Sequence, residues 1–121
     1  MTAFDHLAAI RPHKLFDGIL ARAVSGERLA LAVVELDAGA VVAEHSHENE
    51  QLGIVLHGVL TLRIGDEERT LGPGETWCIA HNLVHSGHAG PDGAVVIDAF
   101  SPPRDDWAQL DRLEAGQPRW P

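Results

Sequence analysis

The chain has a single cysteine, Cys78, so no internal disulfide can form and the fold must hold without one. With no partner, Cys78 reads as a small buried apolar residue. Positive charge is also scarce. Nine Lys and Arg stand against eighteen Asp and Glu, a net charge of -9. A surface that acidic repels phosphate backbones, which argues against nucleic acid as a partner. It also discourages acidic ligands at long range, so a bound anion would need a local positive centre such as a metal or a buried arginine. No apolar run approaches the ~20 residues of a membrane-spanning helix, so no membrane partner is expected. The first twenty residues lack the continuous apolar centre of a signal peptide, because Asp5, His6, Arg11, His13, Lys14 and Asp17 interrupt them. The expected compartment is therefore the cytoplasm. Neither an internal repeat nor a low-complexity segment is present.

What remains is a chain of 121 residues, 45% of them apolar, enough for one packed core and too few for two. Residues 1–19, with Pro12 and Gly18 as breakers, read as an irregular arm or a short edge strand. From Leu20 the pattern changes. Leu20–Val24, Arg28–Asp37, Val41–Glu44, Gln51–His57, Val59–Ile64, Glu68–Leu71, Thr76–Ala80, Val84–His88 and Ala94–Phe100 are short and either alternate or are rich in Val, Ile and Leu. Turn signals separate them, among them Gly58, Gly65-Asp66, Pro73-Gly74, His81-Asn82 and Gly90-Pro91-Asp92-Gly93. Many short strands with turns between them predict an all-β sandwich or barrel over residues 20–100. In residues 101–121, Ser101-Pro102-Pro103 can open a helix. Trp107, Leu110 and Leu113 then form one stripe of a short helix from about Arg104 to Glu114, packed over the barrel. The tail 116–121 reads as loose, with Trp120 as its one docking side chain.

The pattern Gly39-x5-His45-x-His47-x3-Gln51-x6-Gly58 carries the chemistry. His45 and His47 are two apart, so on an extended chain they point to one face, and Gln51 has the same parity. Two imidazoles and an amide oxygen converging on one point suit a divalent transition metal: Zn, Ni, Fe, Mn or Cu. His85 is the best candidate for a fourth ligand, since the hairpin between Leu71 and residue 85 can bring it back across the barrel. A second set is Asp98-x-Phe100-x3-Arg104. Asp98 and Phe100 share a face of the last strand, where an unpaired aspartate is costly to bury. One reading is an Asp98–Arg104 ion pair pinning the C-terminal segment. The other places Asp98 beside the metal as acid/base, Phe100 as an apolar wall and Arg104 as a clamp whose planar fork matches a carboxylate. Among the other histidines, His81, in a turn, is the first candidate to line the mouth of the barrel and touch substrate. His57, at a strand end before Gly58, could line the mouth as well, His88 sits at a strand end, and His6 and His13 in the arm read as solvated.

The Gly39–Gly58 pattern resembles the first motif of the cupin family, and Pro73-Gly74-Glu75 through His85 resembles the second. The resemblance implies an antiparallel jelly-roll β-barrel with a metal inside, held by His45, His47, Gln51 and His85, and a homodimer built by contacts between barrels. Two departures stand out. The commonest cupin pattern has glutamate where Gln51 stands, so this ligand set is neutral. A proline is usual near His81-Asn82. Together with Asp98, Phe100 and Arg104, the site resembles KdgF-type cupins of pectin and alginate breakdown, which convert 4,5-unsaturated monouronates into linear keto sugars. That resemblance implies a small carboxylated sugar as substrate, with Asp98, Phe100 and Arg104 around it. Two alternatives remain open at this stage: a non-haem metal-dependent dioxygenase of a small organic acid, and a non-catalytic module that binds a small molecule.

Overall fold

The computed structural model describes residues 2–121; Met1, the first residue of the expected arm, lies outside the described residues. The strands are β1 (His13–Phe16), β2 (Ile19–Ser25), β3 (Ala30–Leu36), β4 (Val41–His45), β5 (Glu50–Ile64), β6 (Glu67–Leu71), β7 (Thr76–Ile79) and β8 (His85–Ser101). Every pair is antiparallel. β5 and β8 are long and serve two layers. Their Gln51–Gly58 and Ala94–Phe100 parts continue into β7 on one side and into β3, β2 and β1 on the other. Their other parts, Leu60–Ile64 and His85–Ala89, pair with β6 and β4. The result is the barrel that the strand pattern leads one to expect, with the jelly-roll arrangement that the resemblance implies.

Two of the expected turns lie inside these long strands instead. The β5–β8 register shifts around Gly58, which has a φ of 76°, and Gly93 has the same value. A Cβ on Gly58 would overlap the carbonyl oxygen of Gly93. The close crossing of the two strands therefore demands glycine here, and a positive-φ glycine serves a β-bulge as readily as a turn.

Directly opposed residues share a face. Ala21, Val34, Val96 and Val55 form one buried row across β2, β3, β8 and β5. With Ile19, Leu36, Leu60, Leu62, Leu71 and Ile79 they make the core between the layers. The outward row Val24–Leu31–Ala99–Leu52–Cys78 is also free of charge, and Val24, Leu31 and Leu52 are exposed. Cys78 is exposed with them, not buried. In the strand Thr-Trp-Cys-Ile, the alternation that buries Trp77 and Ile79 turns Cys78 outward.

Elsewhere on the outer face, Arg22 donates to Glu35 at 2.8 Å, both side chains buried. The tail covers this pair. The backbone N–H of Arg119 donates to Glu35 Oε2 at 2.7 Å, the Arg119 side chain pairs with Asp37, and Pro118 is buried. The expected loose tail is thus tied down, chiefly through Arg119.

The expected short C-terminal helix is a 3-10 turn, Asp105–Gln109, shorter than the span from Arg104 to Glu114. A stripe at a spacing of three matches the 3-10 period as well as an α-helical face. Trp107 is buried and Leu110 packs against the core, while Leu113 is exposed beyond the turn. A second 3-10 turn spans Leu7–Ala9 ahead of β1. Among the described residues no helix is long and apolar enough to cross a membrane.

Candidate metal centre

β4 ends at His45, which pairs directly with His85, the first residue of β8. His47 follows in the short turn before β5, and Gln51 is the second residue of β5. Antiparallel pairing therefore gathers residues 34 or more apart in sequence, which the His45-x-His47 spacing alone could not do. The rings of His45 and His85 are 4.3 Å apart between centroids, and those of His47 and His85 are 4.9 Å apart. One nitrogen from each of the three lies within 4.8 Å of the others.

The backbone sets how each ring is held. Nδ1 of His45 meets the carbonyl of Ala43 at 2.7 Å, Nδ1 of His47 that of Asn49 at 2.9 Å, and Nδ1 of His85 that of Leu83 at 2.8 Å. Each Nδ1 must donate there, so each Nε2 of a neutral ring carries a free lone pair. Two of the rings, His47 and His85, are biased toward the neutral form. Burial and then the charge of Arg104 hold His47 below the ordinary histidine range. Burial, with the charges of His45, His47 and Arg104, outweighs the Leu83 carbonyl and pushes His85 down to about 4.

Gln51 completes the arrangement. Its Nε2 donates to Asp98 Oδ1 at 2.9 Å, which turns its Oε1 to His47 Nε2 at 3.1 Å. On a neutral His47 whose proton sits on Nδ1, that contact joins two acceptors and no donor. His85 Nε2 is buried with no partner. Lone pairs that converge without a proton between them are repulsive unless a cation lies among them, and a histidine anchored through its other nitrogen is the common form of a metal ligand. The donor set His45, His47, His85 and Gln51 therefore fits one divalent transition metal ion.

Next to this centre is a cavity of about 230 Å³. Its floor is apolar (Ile19, Val34, Leu36, Leu60 and Leu62 among others), and its polar groups cluster at one end: His45, His85, Gln51, Asp98, Arg104 and Asp106. Asp98 is only 8% exposed. Burial raises its carboxyl to about 6, while the Gln51 amide, the Trp77 indole and the charge of Arg104 pull back toward the ordinary range. Trp77, Gly53 and Asp98 are directly opposed across β7, β5 and β8. The indole lies over Gly53 and reaches toward Asp98. Its Nε1–H is buried, close enough to bias the carboxyl but not aligned in a full hydrogen bond.

Arg104 does not pair with Asp98, so the expected structural ion pair is not made. Its Nε and Nη2 donate to Asp106 at 3.0 and 2.9 Å, and its guanidinium packs on Phe100 and Trp107 at 5.1 and 5.2 Å from the ring centroids. That guanidinium holds the Asp106 carboxyl below its usual range. Phe100 is buried edge-on to His47 and to Trp107, a wall between the histidines and the C-terminal turn.

The structure thus brings His45, His47, Gln51, His85, Asp98, Phe100 and Arg104 to one end of the barrel. His81 is exposed in the β7–β8 connection and does not line the cavity. His57 and His88 are exposed, whereas His13 is half-buried against Trp107, and burial followed by the charge of Arg112 lowers its pKa. Sequence reasoning missed Trp77, Asp106 and Asn49. Asn49 is buried and donates to the carbonyls of Pro102 and Pro103, tying the histidine turn to the segment that carries Arg104. The inward parity of Trp77 with Ile79 was the one available signal; Asn49 and Asp106 gave none.

The family described as "Cupin domain" matches residues 32–100. The chain is 30% identical over 96 residues to the pectin degradation protein KdgF of Dickeya dadantii, covering 78% of this chain and 87% of that protein. Among solved structures, KdgF from Halomonas sp. superimposes with a TM-score of 0.79 at 30% identity, over 88% of this chain and 98% of the other. An RmlC-like cupin from Shewanella frigidimarina gives a TM-score of 0.81 at 21% identity over 88% and 96%, which bears on the fold alone.

Proposed function

The chain belongs to the cupin family, and from that premise we propose that it is a metal-dependent enzyme that opens the ring of a small carboxylated sugar such as a 4,5-unsaturated monouronate. The observation that carries the reading is the position of Gln51. One amide presents its oxygen to the histidine cluster and its nitrogen to Asp98, so a proton-transfer group sits one side chain away from the metal ligands. The KdgF relatives supply the substrate class.

His45, His47, Gln51 and His85 would hold the metal. When bound, a divalent ion supplies Lewis acidity toward substrate oxygens. Arg104 receives the carboxylate, and Phe100 closes the apolar side. Asp98, with its carboxyl raised to about 6, is ionised at neutral pH yet basic enough to take up a proton and return it. In the reaction the anomeric hydroxyl loses its proton and the bond from C1 to the ring oxygen breaks. The released electron pair leaves an enol at C5, C4 takes up a proton, and C5 becomes a ketone. The sum is an isomerisation, with nothing oxidised or reduced.

The test is turnover of 4,5-unsaturated galacturonate by metal-analysed protein, followed by loss of the double-bond absorbance with and without air. General acid–base help is worth roughly 10²–10⁴-fold. Asp98→Asn should lose that factor and keep its metal. Near-normal turnover by this variant would remove Asp98 from the role. Activity only in air would replace ring opening by oxygenase chemistry, and a ligand held but never turned over would make the chain a binding module. The proposal includes a homodimer, with the uncharged outward row from Val24 to Cys78 as its contact face. A monomer by sedimentation at micromolar concentration would exclude it.

A further inference from the structure

Arg104 is held on several sides before any ligand arrives. Its side chain is 11% exposed, two aromatic rings pack on its guanidinium, and Asp106 takes both Nε and Nη2 in a two-pronged contact. A guanidinium has five N–H groups arranged as two forks, one formed by Nε with Nη2 and one by Nη1 with Nη2. Asp106 occupies the first fork. Nη1 has no protein partner and is not sealed from solvent, so the second fork stays reachable. Arg104 lines the cavity, and its charge is felt at His47, His85 and Asp98.

We propose that Asp106 is a positioning residue for carboxylate recognition: it takes one edge of Arg104 and so presents the other edge, Nη1 with Nη2, to the carboxylate of the substrate. The inference rests on the proposed role of Arg104 and adds what aims it. A free arginine would have to give up rotamer freedom when ligand binds, whereas one already forked and stacked gives up little. Asp106 is 62% exposed, sits two residues along the same turn and lines the cavity beside Arg104, so it holds the guanidinium by its Nε edge and leaves the Nη1 edge to the ligand. The device selects for ligands that carry a carboxylate within reach of the histidine cluster over uncharged sugars of the same size.

The experiment compares metal-loaded wild type with Asp106→Asn, Asp106→Glu and Arg104→Lys. In Asp106→Asn, KM for 4,5-unsaturated galacturonate should rise about tenfold with kcat within about twofold, the usual size of one coupled contact. The Kd for galacturonate by calorimetry should rise equally, that for galactose should stay as in wild type, and Asp106→Glu should recover part of the loss. The Arg104 Nε–H resonance should be protected from exchange in wild type without any ligand and should lose that protection in Asp106→Asn. A fall in KM would mean that Asp106 competes with the substrate. That result, or unchanged affinity, or a fall in kcat at constant KM, overturns the inference. Wild type that binds galacturonate through Arg104 but turns over no unsaturated uronate would sink the ring-opening reading alone. Galacturonate binding that ignores Arg104→Lys would sink both.

Discussion

Gly53→Ala should destabilise the protein, and only through Trp77. Gly53 lies on the inward face of β5 with no positive φ, so alanine meets no backbone strain there. The added Cβ would overlap Cε2, Cζ2 and Nε1 of Trp77, a rigid and buried ring. The indole must shift by an ångström or more, and forcing a core side chain out of place costs about 1–3 kcal/mol. A domain of 121 residues unfolds with an entropy of roughly 0.25 kcal/mol/K, so the melting temperature should fall by about 4–12 °C. The assay is thermal unfolding of four proteins: wild type, Gly53→Ala, Trp77→Leu and the double variant. Trp77→Leu will be destabilised in its own right by the volume it loses. In that background Gly53→Ala should cost almost nothing, since the clash is gone, giving a coupling of about 1–3 kcal/mol. Equal costs in both backgrounds would refute the reasoning and place the glycine's role in the strand itself.

Adding a divalent metal at about 100 times its Kd should raise wild-type stability by about 2.7 kcal/mol, or roughly 10 °C in melting temperature. His85→Ala should abolish that shift, and a shift that persists would remove His85 from the ligand set. In chelated protein, Asp98 is raised from 3.8 to about 6, so the folded state holds its proton more tightly than the unfolded state. Its contribution is most favourable below pH 4 and is lost as pH rises through 6, a change of up to roughly 3 kcal/mol. Asp98→Asn should therefore gain on wild type between pH 4 and pH 7, and denaturant unfolding at the two pH values would show an equal difference if the reasoning is wrong. His85 runs the other way: pushed down to about 4, it favours folding above pH 6.5 and loses that contribution as pH falls toward 4. Arg22→Met should cost about 3 kcal/mol by leaving Glu35 buried with one partner fewer, whereas Arg22→Met with Glu35→Leu should recover most of it; equal losses in urea titrations would contradict this.

The residues that hold the candidate metal centre were legible because the strand period is short and rigid. A spacing of two puts His45 and His47 on one side of an extended chain, and Gln51 keeps that parity after a short polar turn, so the three were legible with no knowledge of the fold. His85 and Asp98 needed the likeness to cupins or a guess at topology, since pairing between β4, β5 and β8 decides their neighbours. The same dependence explains the misread glycines. Gly58 and Gly93 look like turns in sequence, and only the crossing of two long strands makes them bulges. The Arg104–Asp106 fork is an i,i+2 contact, which neither a helical nor a strand pattern flags, so Arg104 found a partner other than Asp98. The C-terminal stripe at a spacing of three fits α and 3-10 turns alike, so the sequence shows a helical turn there without its type.

Cys78 and Trp77 are neighbours in sequence on opposite surfaces of the same strand. A chain with one thiol accepts one label at one known place. A dye attached at Cys78 would stand outside the barrel, a single layer of backbone away from the indole that walls the cavity. The reagent never enters the cavity, so the rate of labelling would report instead on the outer row, fast where that face is open and slow where the proposed homodimer covers it.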